Sequence, residues 1–211
     1  MRYWILLFIG VHFFNANAQS KKNNSKKNAE ILSITKPLND SQIRWYDWME
    51  VQTLQEKNPK PFFVWIYADW CSHCKDFKDS TLQDPAIIEK LNSGDFYPVK
   101  LNFEDKRTFI FKNKSYQWIA ATDEKMAHNE LALAMMNNVF GLPSFVFFDK
   151  DSHVLQDVKG YKNSTDFKII SDYFLYEKYK TQNWNIYTQN IEQSENKIKQ
   201  ENEENIETVC K

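Results

Sequence analysis

Apolar residues enter this chain in two patterns. Residues 62–67, Phe-Phe-Val-Trp-Ile-Tyr, form an unbroken β-branched and aromatic run, which reads as a buried strand. From Cys71 onward there is no Gly or Pro before Pro85, and the segment reads as a helix, so Cys71 falls at a strand-to-helix junction. Upstream, Trp45, Trp48 and Met49 recur at helical spacing within 43–57, and Asn58-Pro59-Lys60-Pro61 stops that helix before the strand begins. Downstream, Asp84-Pro85 caps and starts a short helix over 86–91, and Asn92-Ser93-Gly94-Asp95 turns the chain into a second strand over 96–103. A strand, helix and strand in this order predict a parallel pair with a right-handed crossover. The junction then lies at the carboxyl end of the first strand, where Cys71 is expected to be exposed.

The segment 104–125 mixes charge with Phe109, Phe111, Tyr116, Trp118 and Ile119 and reads as an inserted hairpin or lid. Helical spacing returns over 126–138, with Ala127, Leu131, Ala134, Met135 and Asn138 on one face. Gly141-Leu142-Pro143-Ser144 leads into a strand over 145–148, a turn over 149–152 and a strand over 153–158, which together make a β-hairpin. A trans proline opening an edge strand is the default for Pro143 taken alone. A cis bond, at a cost of about 0.5 to 1 kcal/mol, would instead turn the Leu142 backbone toward the cysteines and free it to pair with an incoming peptide. Asn163-Ser164 offers an N-cap to a helix over 165–180 with Phe167, Ile170, Phe174, Leu175 and Tyr176 as its packing stripe. The tail, 181–211, is rich in Asn, Gln and Glu and keeps a thinly apolar helical register through Trp184, Tyr187, Ile191 and Ile198.

Composition narrows the function classes. With 211 residues, 42% hydrophobic and 16% aromatic, the chain can bury the core of one domain, expected over 41–180. Only 4 Gly argue against a glycine-rich nucleotide fold, and a formal charge of −1 gives no electrostatic case for nucleic acid. At the N-terminus Arg2 precedes an apolar stretch of about 12 residues, short of the ~20 needed to span a bilayer. Ala16-Asn17-Ala18 supplies the small residues a signal peptidase reads, so 1–18 is expected to be a signal peptide cleaved after Ala18. Residues 19–40 then form a basic, polar linker. The mature protein is expected to be periplasmic or secreted, and monomeric.

In an oxidising compartment 3 cysteines cannot all pair within one chain. Cys71 and Cys74 are close enough to pair; Cys210, near the end, is left over as a tail thiol or an intermolecular link. A thiolate at a helix N-terminus is favoured by unpaired backbone N–H groups and the helix dipole, and a second thiol two residues on can expel a mixed disulfide. Competing readings are a structural disulfide, whose small loop would constrain little chain entropy, and a metal site. No second Cys-X-X-Cys is present, and His128 and His153 stand alone, so no metal and no cofactor is expected.

Trp70-Cys71-Ser72-His73-Cys74-Lys75, with Leu142-Pro143 some way downstream, resembles the thioredoxin superfamily, in particular its secreted or periplasmic thioredoxin-like members; the likeness covers 41–180. The resemblance implies an α/β thioredoxin-like fold, a central mixed sheet flanked by helices, to which this chain adds the insertion over 104–125, longer than a minimal thioredoxin needs, and the helical tail. It also implies that Cys71 attacks, Cys74 resolves, and Pro143 is cis and contacts substrate together with Leu142. The implied activity is thiol-disulfide exchange with protein thiols and disulfides, with a membrane thiol reductant or oxidant as the partner that recharges the pair.

His73, with Trp70 and Lys75, is expected to tune the thiolate, and the Ser-His dipeptide suggests a potential less reducing than the about −270 mV of thioredoxin. The family also places a buried aspartate six residues before the first cysteine, where this chain has Trp65; Asp69, Asp76 or water would have to substitute. A different class of function, a thioredoxin-fold binding module with a vestigial cysteine pair, would use the aromatic insertion or the tail to recognise a partner.

Overall fold

The computed structural model describes residues 42–209. The expected signal peptide and linker, together with Cys210, lie outside the described residues.

The first strand, β1 (Phe62–Tyr67), runs parallel to β2 (Tyr97–Asn102) on one side and antiparallel to β7 (Ser144–Phe148) on the other. β7 in turn pairs with β8 (Val154–Lys159), giving the order β2-β1-β7-β8. Between β1 and β2 come α2 (Ser72–Asp79), a 3₁₀ turn (Thr81–Gln83) and α3 (Pro85–Asn92), the last capped by Asp84 as its sequence demands. The expected mixed sheet with flanking helices is borne out.

Alternation along β1 assigns its two faces. Phe63 and Trp65 point to α2 and α5 (Ser164–Leu175), where Phe63 meets Phe167 edge-on at 5.7 Å and Trp65 meets Phe77 at 5.6 Å. Phe62 points the other way, stacks on Phe148 at 4.4 Å and lies against Trp48 of α1 (Trp48–Lys57). The hairpin of β3 (Phe109–Phe111) and β4 (Lys114–Tyr116) covers that second face, because Phe111 packs edge-on against both Trp48 and Phe148. At least some aromatics of 104–125 are therefore core residues.

Three helices are shorter than their apolar periodicity suggests, and capping explains the first two. The helix expected over 43–57 begins only at Trp48, since Asp47 and Glu50 form a capping box there, and Tyr46 instead bridges to Val99 at the edge of β2. The helix expected over 126–138 is α4 (Glu130–Met135); His128 and Asn129 form a short strand, β6, against β5 (Trp118–Ile119). α4 starts where the fully buried Asn129 caps it, and Asn137 and Asn138 leave it in left-handed backbone. α5 ends at Leu175 and not at residue 180, with Glu177 left-handed before a 3₁₀ turn (Lys178–Lys180). In the tail, α6 (Trp184–Val209) packs Trp184 and Tyr187 against Tyr173, each at 5.1 Å, while Ile198 is exposed. Burial pushes the Tyr187 hydroxyl up to about 12.

Asn129 connects β6, α4 and the loop before β3. Its amide donates to the carbonyls of Asp105 and Arg107 at 2.8 and 2.9 Å, and its side-chain oxygen accepts the Leu131 N–H at 3.0 Å. Asn129→Ala would orphan two part-buried carbonyls and a buried helix N–H, and is expected to destabilise the fold by about 1 to 3 kcal/mol, read as a lower urea midpoint at unchanged m. A midpoint equal to wild type would contradict this role.

Candidate functional site

The end of β1 is where the chain leaves the sheet and turns into α2. Cys71 is the N-cap of that helix, in extended backbone, and its Sγ accepts the Cys74 N–H at 3.1 Å. The cap position turns the sulfur back over the first helical turn, where it is joined to Cys74 in a disulfide with the two Cα atoms 5.2 Å apart. Cys71 is only 8% exposed and Cys74 3%, so the expectation of an exposed Cys71 is corrected: both sulfurs are packed into the wall of an open cavity of about 600 Å³. Trp65, Asp69 and Lys100 line the same cavity.

β7 enters this site from the opposite direction. Ile66 pairs with Ser144, so Leu142 and Pro143 continue β7 past the sheet at the end where β1 delivers Cys71. The Leu142–Pro143 bond is cis, against the default for a lone proline and in line with the resemblance. Among the described residues neither the N–H nor the C=O of Leu142 has a hydrogen-bond partner. Trp70, half exposed beside the disulfide, stacks on Phe140 at 6.3 Å, and Phe140 leans on the buried Phe103 at 5.3 Å. Val139 and Phe140 were not marked by the sequence pattern. The available signal was a pair of large apolar residues in a short polar stretch just before the proline.

The residues expected to tune the thiolate are distributed differently. His73 is exposed and its Nδ1 lies 3.4 Å from an Asp76 oxygen, one turn along the outer face of α2. Lys75 gives its ammonium to Asp79, a hydrogen bond that raises the lysine and lowers the aspartate from their ordinary values. No hydrogen bond joins His73 or Lys75 to either sulfur among the described residues, since each has a carboxylate at i+3 or i+4 that competes for it. The groups that act directly on Cys71 are the helix N-terminus and the Cys74 N–H.

Trp65 occupies the position where the resemblance calls for an acid. It is buried between Trp45, Tyr67 and Phe77, and its Nε1 has no hydrogen-bond partner among the described residues. Asp69 lines the cavity with both sulfurs and accepts from Asn102 at 3.3 Å, whereas Asp76 is absent from the lining. The Tyr67 hydroxyl on the same wall is raised by burial and by the charge of Asp69.

Comparison with known proteins follows the same lines. A family model described as a thioredoxin-like domain matches residues 49–175. The chain is 30% identical over 118 residues to a thiol:disulfide interchange protein DsbD of Citrobacter koseri, and 30% identical over 132 residues to that of Escherichia coli. Those matches cover 55% and 62% of this chain, but only 17% and 19% of the relatives, so the chain spans less than a fifth of their length. Among solved structures, a DsbH oxidoreductase aligns over 65% of this chain and 88% of its own, at 18% identity and a TM-score of 0.42. The oxidised C-terminal domain of Neisseria meningitidis DsbD aligns over 58% and 87%, at 20% identity and a TM-score of 0.37.

Unequal placement of the two sulfurs has a measurable consequence. After reduction, the N-cap sulfur is expected to react with limiting iodoacetamide about tenfold faster than Cys74, as peptide mass mapping would show. Equal labelling, or faster labelling of Cys74, would contradict the assignment of the helix-stabilised N-cap sulfur to Cys71.

Proposed function

The chain belongs to the thioredoxin-like family, and on that premise we propose that it exchanges disulfides with protein substrates outside the cytoplasm through Cys71 and Cys74. The observation that carries the reading is the Cys71–Cys74 disulfide at the N-cap of α2, at the sheet end where β7 begins with a cis proline. The interchange activity in the names of its relatives is the same chemistry. The extracytoplasmic part rests on the signal-like pattern ending in Ala16-Asn17-Ala18. Among the described residues no helix is long and apolar enough to cross a membrane.

In the reducing direction the Cys71 thiolate attacks one sulfur of a client disulfide. The client S–S bond breaks, its other sulfur leaves as a thiolate that takes up a proton, and a mixed disulfide joins Cys71 to the client. Cys74 then loses its proton to water in the cavity, or to Asp69 on its wall, and attacks Cys71 Sγ. The mixed disulfide breaks, the second client thiolate departs, and two electrons have passed from the pair to the client. Run backwards, the same steps oxidise a client dithiol. A membrane thiol reductant or oxidant that recharges the pair is part of the proposal.

Leu142 supplies the contact with polypeptide. Its free N–H and C=O can form a short β-bridge with an extended client segment, and the exposed Trp70–Phe140 stack offers that segment an apolar surface next to the sulfurs.

Cys74→Ser removes the resolving thiol and is expected to accumulate covalent adducts on Cys71, seen as bands lost on reduction and identified by mass spectrometry. Their partners should be extracytoplasmic proteins with cysteines. Recovery of cytoplasmic proteins alone would contradict the compartment. If Cys74→Ser traps nothing and the wild type neither reduces insulin nor reshuffles a scrambled disulfide substrate, the binding-module reading takes its place.

A further inference from the structure

A buried acid lies directly behind the cis proline, on the sheet face opposite the disulfide helix. Asp157 of β8 has a side chain only 1% exposed, and burying a carboxylate is costly unless every lone pair is used. One of its oxygens accepts the hydroxyl of Ser144, the fully buried residue that follows Pro143; the other accepts the ammonium of Lys159. Asp157 pairs with Val146 and Lys159 with Ser144 across the β7–β8 ladder, so all four share one face. An apolar residue would suit the position of Asp157 for packing alone.

Lys159 extends this network to the other side of the proline. Its methylenes lie so close to Gly141 that a Cβ there would come within 2.8 Å of Lys159 Cδ, and its Nζ is 3.5 Å from the Met136 carbonyl at the end of α4. The Gly160 N–H donates to the Pro143 carbonyl at 2.8 Å. The segment 141–144 is thus gripped before the proline by Lys159 and after it by Asp157 and Gly160. Ser144 is held in the ladder and the Pro143 carbonyl by Gly160, whereas the Leu142 N–H and C=O, next to the proline, have no partner among the described residues. The hairpin turn cannot fix this alignment alone, because the ladder is irregular between Phe147 and Phe148, and a one-residue slip beyond that point would invert every side chain up to the proline.

We propose that Asp157 and Lys159 are positioning residues for reaction with polypeptide: they hold the Leu142 backbone in register for a client strand and take no part in the sulfur chemistry. The proposal rests on the disulfide-exchange reading and deepens it. A small disulfide, which needs no strand pairing, is indifferent to this clamp; a protein disulfide is not.

The test compares full-length wild type with Asp157→Val, Asp157→Asn and Lys159→Met, using insulin and oxidised glutathione as substrates, with dithiothreitol as the electron donor that recharges the pair and the uncatalysed rate subtracted. Asp157→Val is expected to raise KM for insulin about fivefold or more, with kcat and the glutathione rate within about twofold of wild type. Asp157→Asn should fall in between, since its amide oxygen still accepts from Ser144. An unchanged insulin KM in a folded Asp157→Val protein, or equal losses on both substrates, overturns the proposal. Should Asp157→Val lose its cooperative melt, Lys159→Met decides: its side chain is 31% exposed, the same selective rise in KM is expected, and no change overturns the proposal. A wild type inert toward both substrates is a different failure, visible before any variant is made, and overturns the exchange reading with it.

Discussion

Strand β1 is buried on both faces and hydrogen-bonded along both edges, and the site depends on that double constraint. Residues 62–66 are at most 5% exposed, with β2 on one side and β7 on the other. Burying each of these side chains contributes about 1.5 to 3 kcal/mol, so a slip of the strand by one residue would exchange Phe62 and Phe63 between faces and lose several such terms at once. The strand end is therefore held in place, and with it the first turn of α2 and the sulfur that caps it. The antiparallel partner β7 brings Pro143 to the same end by register, since Ile66 lies opposite Ser144.

Within that frame the site's electrostatics come mainly from the backbone. A helix N-terminus stabilises a nearby anion by about 0.3 to 1 kcal/mol when exposed and up to ~2 kcal/mol when partly buried, and the Cys74 N–H adds a direct hydrogen bond to Cys71. His73 is paired with Asp76 on the outer surface of the helix, and Lys75, which lines the cavity, with Asp79. Trp65 contributes bulk where the family has an acid. Its unpaired Nε1 costs about 1 to 3 kcal/mol, and contacts with Trp45, Tyr67 and Phe77 offset that cost. The cavity wall beside Cys74 is consequently more apolar than the resemblance implied, with Asp69 as the lining carboxylate that no lysine holds among the described residues.

Much of this was legible in the sequence for identifiable reasons. The run 62–67 has no competing pattern, Asp84-Pro85 is a cap with one reading, and Trp70 to Lys75 with Leu142-Pro143 specifies a fold that neither motif would alone. Errors cluster where local hydrogen bonds override apolar spacing: Asp47 and Glu50 delay α1, Asn129 delays α4, and Tyr46 leaves the helical register to bridge to Val99. The proline isomer could not be read from Pro143 alone, because the preference between isomers is small and tertiary context decides it. Asp157 was missed for a related reason. On an edge strand an acid normally faces water, and only the pairing of β8 with β7 shows that this one faces Ser144.

Redox equilibration of the reduced chain with glutathione buffers, followed by intrinsic tryptophan fluorescence or intact mass, tests the central claim most directly. The account predicts a reversible two-electron transition of the Cys71–Cys74 pair between about −270 and −120 mV, the span of exchange-active pairs. A pair that stays oxidised until the potential falls below about −300 mV, as structural disulfides do, would contradict it.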